Sequence, residues 1–386
     1  MTSSLAPTLA IIGGGQLARM LAQPAIALGL PLRLLSEAQG GSAAQVIVDH
    51  EVGDYRDLAT LHHITRGCAV VTFDHEHVPT AHLHDLESGG IAVRPGPEAL
   101  VHAQDKGVMR ARLSELGVPC PRHALVTTAE EVAAFGFPAV LKTTRGGYDG
   151  KGVWVAWSLE DCADAFSTAA AAGVQILAEE LVDFRRELSA LVARSPSGQA
   201  AAYPVVESTQ VDGVCREVIA PAPDLDPELA GQAQAIALRI AGALGVTGIL
   251  AVELFETTDG RILVNELAMR PHNTGHWSQD GAVTSQFENH LRAVMDLPLG
   301  SPLPRARWTV MVNILGGASE TGRLYDGYPH AMARDPFLRV HLYGKELRPG
   351  RKVGHVNAYG DDLDDCLERA RHAAAWFRGD LGNESE

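Results

Sequence analysis

Two glutamates in the stretch ILAVELFETTDGRILVNELA are placed to share an ion. Asp259-Gly260 is a two-residue turn signal, and a hairpin closed there pairs Thr258 with Arg261. The same register sets Glu253 opposite Glu266 on one face, with Cβ atoms about 5 Å apart. Their strand neighbours, among them Val252, Leu254, Leu263 and Val264, are apolar, so the ribbon is largely buried. Two carboxylates in a half-dry site repel one another. A divalent cation relieves the repulsion, and carboxylate oxygens suit Mg2+ bridging to a substrate phosphate. Asn265 offers a further oxygen or a hydrogen bond. A slip of one residue in the register would instead turn one glutamate to solvent.

Two glycine-rich loops are candidates for that phosphate. The segment Arg145-Gly-Gly147-Tyr148-Asp149-Gly150-Lys151-Gly152 lies between the strand-like runs PAVLK and VWVAW. It is not a P-loop, because no Ser or Thr follows Lys151 and a strand rather than a helix comes next. Four glycines and two cations at a hairpin tip suit a lid that folds over a polyphosphate; an ordinary glycine-rich hairpin is the alternative. The other loop, Gly13-Gly14-Gly15-Gln16-Leu17-Ala18, joins a strand to a helix, with Glu37 ending the next strand. That pattern fits a dinucleotide, another phosphate ligand at the helix N-terminus, or a tight turn with no ligand.

These loops need a scaffold, and the chain alternates accordingly. Strand-like runs at 8–12, 31–36, 46–48, 69–73 and 91–93 are separated by helix-length segments, which predicts a parallel sheet in a first domain over 1–103. From 104 to 298 the pattern is α+β with hairpins and an Ala-rich helix at 226–244. The linker LPLGSPLPRAR opens a third domain, 299–386, with strands near 308–315 and 337–343 and a helix near 363–377. The chain has 386 residues, 46% of them hydrophobic, which supports two or three full cores. Its 47 acidic against 32 basic residues repel nucleic acid overall, so a bound anion needs a local cation cluster. Lys345, Arg348, Arg351 and Lys352 make one, of a size for a single phosphate group. Five scattered cysteines form no zinc or disulfide pattern, and no apolar run is long enough to span a membrane. A cytoplasmic setting is expected.

In order and spacing, Lys142, the loop 145–152, Glu179-Glu180-Leu181-Val182, Glu187, Glu253 and Asn265-Glu266 resemble the ATP-grasp ligases. Asn265-Glu266-Leu-Ala-Met-Arg270-Pro-His272-Asn273-Thr-Gly-His276-Trp277 resembles, within them, the 5-(carboxyamino)imidazole ribonucleotide synthetase family, and the opening Gly-Gly-Gly-Gln16-Leu17 and the segment 344–355 do so as well. The resemblance covers nearly the whole chain. It implies an α/β protein: a Rossmann-like N-terminal domain, an ATP-grasp domain and a small C-terminal domain. It also implies ATP, bicarbonate and 5-aminoimidazole ribonucleotide as substrates, Mg2+ as the cofactor, and a homodimer.

The resemblance assigns roles. Lys106 and Lys142 would contact the ATP phosphates under Gly147, Tyr148, Asp149, Gly150, Lys151 and Gly152. Residues 179–182 would present backbone groups to adenine, Glu187 would hold the ribose hydroxyls, and Gln210 adds a further contact. Asn265 and Glu266 belong to the nucleotide site as well, with Glu253 and Glu266 as the metal ligands. Arg270, His272 and Asn273 would bind bicarbonate and the carboxyphosphate made from it; a planar oxyanion needs such a fork of donors. Gln16, Leu17, Glu76, Tyr148, Lys345, Arg351 and Lys352 would bind the ribonucleotide. His272 and Asp149 are both candidates for the base. The family usually has a glutamate where Asp74 stands and often an asparagine where His77 stands, which leaves those two without a role. An ATP-grasp ligase with another acceptor, an NAD oxidoreductase using the first loop, and a catalytically dead nucleotide-binding regulator are the rival readings.

Overall fold

A computed structural model describes residues 6–147, 150–317 and 324–381. The first sheet is parallel, in the order β3-β2-β1-β4-β5, with β1 Leu9–Ile12, β2 Leu32–Ser36, β3 His50–Val52, β4 Val70–Phe73 and β5 Ala92–Val93. β1 and β4 are buried along their whole length, as central parallel strands covered on both faces must be. One strand differs from expectation. The Val-Ile-Val run at 46–48 is not a strand, and β3 begins at His50. Val46 and Val48 are exposed while Ile47 alone is buried, so that run pins a turn through a single side chain rather than joining the sheet.

The second sheet has the order β6-β9-β7-β8, with β6 His123–Val126, β7 Ala139–Thr143, β8 Val153–Ala156 and β9 Ile176–Glu180. β7 and β8 are antiparallel, with Lys142 opposite Val153, so the 145–152 loop is a hairpin tip.

The third sheet is antiparallel and holds nine strands. They are β10 Phe184–Arg194, β11 Ala200–Ala202, β12 Val206–Val211, β13 Val214–Ala220, β14 Gly248–Thr257, β15 Ile262–Ala268, β16 Trp308–Leu315, β17 Arg339–Leu342 and β18 Lys352–Gly360. The path runs β15-β14-β10-β12-β13-β16-β18-β17, so the strands after the Pro-rich linker extend the sheet that holds the paired glutamates. The basic turn leads straight into β18, which composition alone does not announce.

The first sheet and the third share their packing. One core joins Ile12, Phe73 and Leu83 to Val252, Val264 and Met269. The helix Gln16–Leu28 packs on the helix Gln286–Val294 through Leu17, Leu21, Phe287 and Leu291. His290 fastens them further: its Nδ1 accepts from the Ile249 amide at 3.2 Å and its Nε2 meets the Thr72 hydroxyl at 2.8 Å. Burial pushes this imidazole down to about 3, so it is a neutral tie rather than a charge.

Candidate active site

The carboxylate pair forms by a route the sequence reading did not foresee. The hairpin loop is Thr258–Gly260, one residue longer than a two-residue turn: the Thr257 amide donates to the Arg261 carbonyl at 2.9 Å, and Gly260 is left-handed at φ +79°. With that turn alone, Glu253 would face Asn265. A β-bulge then intervenes. Leu254 pairs with Val264 but Glu253 pairs with Glu266, so Asn265 is the inserted residue that brings the second glutamate opposite the first. The predicted pair is present, reached through two compensating departures from the expected hairpin.

Arg110 braces the bulge. It is 1% exposed and donates to the carbonyls of Val264 and Asn265 at 2.9 and 2.7 Å and to the carboxylate of Glu179. Lys142 meets the other oxygen of Glu179 at 2.7 Å and donates to Asn265 Oδ1 at 3.0 Å. The buried Glu179 carboxylate therefore positions Lys142, and only its backbone remains to serve a nucleotide base. Burial opposes its charge, but Lys142 and Arg110 overcome this and hold it at about 2. Sequence reasoning missed Arg110. Its one sign was a place beside Met109 and Leu113, the buried face of its helix.

The two glutamates differ in charge. Burial and the facing Glu266 raise Glu253 to about 7. Burial works against Glu266 too, but the Lys106 ammonium bonded to it keeps its carboxyl below the usual range. Hard oxygens with excess negative charge are a donor set that a divalent cation fits.

Around this pair lies a cleft of about 830 Å3. One end of it brings together Gly147, Gly150, Lys151, Leu181, Val182 and Gln210, with Lys106, Lys142, Glu180 and Glu187, all expected at the nucleotide. Burial raises Glu187, whose carboxylate accepts from the Gln210 backbone. Gly152 lies outside the wall, and Tyr148 and Asp149 lie outside the described residues. At the lid's base, Arg145 pairs with Asp105 at 2.7 Å, and Asp105 also caps the helix Lys106–Glu115.

The opposite end holds Arg270, His272 and Asn273. Arg270 Nε donates to Glu76 at 2.7 Å, and the other Glu76 oxygen accepts from the Met269 amide at 3.1 Å. Glu76, expected at the ribonucleotide, thus has both oxygens engaged, one by Arg270 and one by the Met269 amide. His272 Nδ1 meets the Thr274 hydroxyl at 2.8 Å and accepts from the Thr274 amide, which leaves its proton on Nε2, 3.4 Å from Glu253. Burial and the Arg270 charge hold it neutral. Both side-chain amide atoms of Asn273 are buried without a hydrogen-bond partner among the described residues, and its Nδ2 is a donor that a small oxyanion could accept from.

Gln16, Leu17 and Lys352 line the cleft, and Lys345 bonds the Gln16 side chain. Arg351 is not brought to the wall; its guanidinium lies 3.5 Å from the Glu346 carbonyl in its own turn. The first glycine loop carries a carboxylate from the protein itself. Asp74 accepts from the Ala18 amide at 2.7 Å, and a Cβ on Gly15 would sit 2.1 Å from Asp74 Oδ2. Glu37, the ribose-binding acid of the dinucleotide reading, is spent on the Gly14 amide and His75, at 2.9 Å each. The helix terminus expected to take a phosphate is already occupied by this acid, and a pyrophosphate there would meet two carboxylates.

The sequence is similar to known proteins over nearly all of its length. Residues 6–104 match the ribonucleotide synthetase pre-ATP-grasp domain family, 111–287 the ATP-grasp domain family, and 309–369 the phosphoribosylaminoimidazole carboxylase C-terminal domain family. The N5-carboxyaminoimidazole ribonucleotide synthase of Mycobacterium tuberculosis is 55% identical over 98% of this chain and 89% of its own. The chain belongs to the N5-carboxyaminoimidazole ribonucleotide synthase family. A crystal structure of an N5-carboxyaminoimidazole ribonucleotide synthetase as its ADP complex is 37% identical, with a TM-score of 0.88 and 98% of each chain covered. That of Aspergillus clavatus, in complex with ADP and 5-aminoimidazole ribonucleotide, is 29% identical, with a TM-score of 0.86 and coverage of 96% of this chain and 98% of the other. Membership makes the chain an ATP-grasp ligase and explains why three units share one cleft: each family domain supplies part of its wall.

Proposed function

We propose that this chain carboxylates 5-aminoimidazole ribonucleotide with bicarbonate, converting ATP to ADP and phosphate and producing 5-(carboxyamino)imidazole ribonucleotide. The observation that carries this reading is the adjacency of the facing glutamates to Arg270, His272 and Asn273 in one cleft. The ADP and aminoimidazole ribonucleotide complex of the Aspergillus relative supports the same substrates here.

Lys106, Lys142 and the 145–152 lid bind the triphosphate, the 179–182 backbone takes the adenine, and Glu187 with Gln210 takes the ribose. Glu253 and Glu266 would hold Mg2+, which when bound supplies positive charge that neutralises the phosphates. Bicarbonate oxygen attacks the γ-phosphorus, ADP leaves, and carboxyphosphate forms against Arg270 and Asn273. The exocyclic amine of the ribonucleotide attacks the carboxyl carbon, or CO2 released beside it, and phosphate departs. Its proton needs a base. His272, with its own proton on Nε2, and Asp149 are the candidates. Closing the lid keeps water from the anhydride. Gln16, Leu17, Lys345 and Lys352 bind the ribonucleotide; with Asp74 at the helix end, its phosphate relies on these side-chain donors rather than on the helix terminus. The active species is a homodimer in the cytoplasm.

Phosphate release measured with each substrate left out tests the reading. Full turnover is expected only with ATP, Mg2+, bicarbonate and aminoimidazole ribonucleotide together. Turnover indifferent to both bicarbonate and the ribonucleotide would refute it.

A further inference from the structure

Gln286 opens the helix Gln286–Val294, well away from the metal-binding hairpin in sequence, yet its side chain reaches the reacting end of the cleft. It is completely buried. Its Oε1 accepts from the His272 amide at 2.9 Å, and its Nε2 donates to the His272 carbonyl at 2.7 Å. One side chain thus grips both polar groups of a single backbone unit, as a neighbouring strand would. The same Nε2 lies 2.9 Å from His276 Nδ1. The backbone contact settles which end of the amide is which, because a peptide N–H can only donate. Nε2 is therefore the donor to His276, Nδ1 is the acceptor, and the His276 proton is on Nε2. His276 is buried and neutral, lies at the back wall of the cleft, and its Nε2 has no partner among the described residues.

The local sequence makes room for this clamp. A Cβ on Gly275 would stand 2.3 Å from Gln286 Oε1, so glycine is required there. The Gln286 amide donates to Ser278 Oγ at 2.9 Å, and Ser278 Oγ donates to the Gly275 carbonyl, closing a loop of contacts around residues 272–278. On the other side of the segment, Glu76 holds the Met269 amide and the Arg270 Nε.

We propose that Gln286 is the positioning residue for the oxyanion end of the cleft. Holding the N–H and C=O of His272 sets the backbone from which Asn273 projects and, with Glu76, fixes the segment that carries Arg270, and donating to Nδ1 keeps His276 as an Nε2–H donor. The proposal rests on the carboxylation reading above.

Three variants test it. Gln286→Met removes the clamp. Gln286→Glu keeps the acceptor for the His272 amide and, ionised, has no donor for His276. Asn289→Leu is the control: it deletes another buried amide of the same helix, one that grips Gly300 and Tyr203 rather than the cleft. For Gln286→Met, kcat is expected to fall about 10²-fold, the cost of misplacing a reacting group by about 1 Å, while KM for ATP stays within about twofold. Asn289→Leu should lose thermal stability while keeping kcat. Nitrogen NMR of the imidazoles should show His276 as Nε2–H in the parent and as Nδ1–H in Gln286→Glu, where a carboxylate faces Nδ1. A parent His276 protonated on Nδ1 would overturn the proposal. So would a kcat loss in Asn289→Leu equal to that of Gln286→Met. If Gln286→Met does not fold, the tautomer in Gln286→Glu decides. Should the parent prove indifferent to aminoimidazole ribonucleotide, the reaction assignment fails, while the tautomer measurement still judges the clamp.

Discussion

Glu253 is the residue whose charge the structure leaves most exposed to its surroundings. With the group poised at about 7, cation binding must displace a proton from a growing share of molecules as the pH falls. Apparent affinity for ATP with Mg2+ is expected to weaken by up to about tenfold per pH unit below 7, read by calorimetric titration between pH 5.5 and 8. A flat profile would count against a direct ligand role. Stability should move the opposite way. A carboxyl raised on folding costs nothing below its unfolded value, costs progressively more through the interval up to about 7, and costs its full amount above that. Glu253→Gln is therefore expected to raise Tm at pH 8, by about 1–2 °C for each kcal/mol recovered in a chain of this length, and to leave it unchanged at pH 4. An equal gain at both pH values would show that packing, not charge, is responsible. At this scale the carboxylate pair, Lys142 and the Arg-His-Asn cluster were legible from residue type and order. Arg110, Asp74 and Gln286 were not, because their work depends on partners 69, 56 and 14 residues away.

Among elements, the bulged β14–β15 hairpin and the β7–β8 lid matter most. The bulge exposes two carbonyls that Arg110 satisfies, and the same guanidinium neutralises Glu179. Arg110→Met leaves a buried carboxylate with one partner instead of two, so a loss of about 3–5 kcal/mol is expected in denaturant unfolding. A loss under about 1 kcal/mol would mean that water or Lys142 replaces it. For the lid, Arg145 and Lys151 are ready tryptic sites on a hairpin tip over the cleft. ATP with Mg2+ should slow cleavage there, followed by mass spectrometry of the fragments. An unchanged rate would argue that nucleotide does not engage the loop. The hairpin also shows how pattern reading can reach a correct pair by an incomplete route. Turn signals locate a loop without fixing its length, and nothing in local sequence marks Asn265 as an inserted residue.

For the molecule as a whole, the notable feature is that cores cross between units. Residues of the first sheet and of β14 and β15 belong to one cluster, and the helix Gln16–Leu28 packs on the helix that carries Gln286. All five tryptophans lie between 154 and 376, outside the first unit. Tryptophan fluorescence and far-ultraviolet dichroism should nonetheless report coincident unfolding, since the first unit cannot lose its packing without uncovering the others. Separate transitions would show that the shared core is not cooperative. Charges of both signs meet in the cleft, where Lys106, Lys142, Arg270 and Lys352 line the wall together with Glu76, Glu179, Glu187, Glu253 and Glu266.

Taken alone, the order of residues determined the alternation of strands and helices, the hairpin bearing two glutamates, the glycine lid and the family to which all of these belong. Each depends on neighbours close in the chain or on a motif read as a unit, so local spacing suffices. Only the tertiary structure decided that Asp74 occupies the helix end offered to a phosphate, that Glu76 is bound to Arg270, that the last strands extend the ATP-grasp sheet, and that Gln286 holds His272. These depend on which polar groups meet once the apolar faces have packed. Burial then requires each of them to find a partner, and that choice is made across the whole chain.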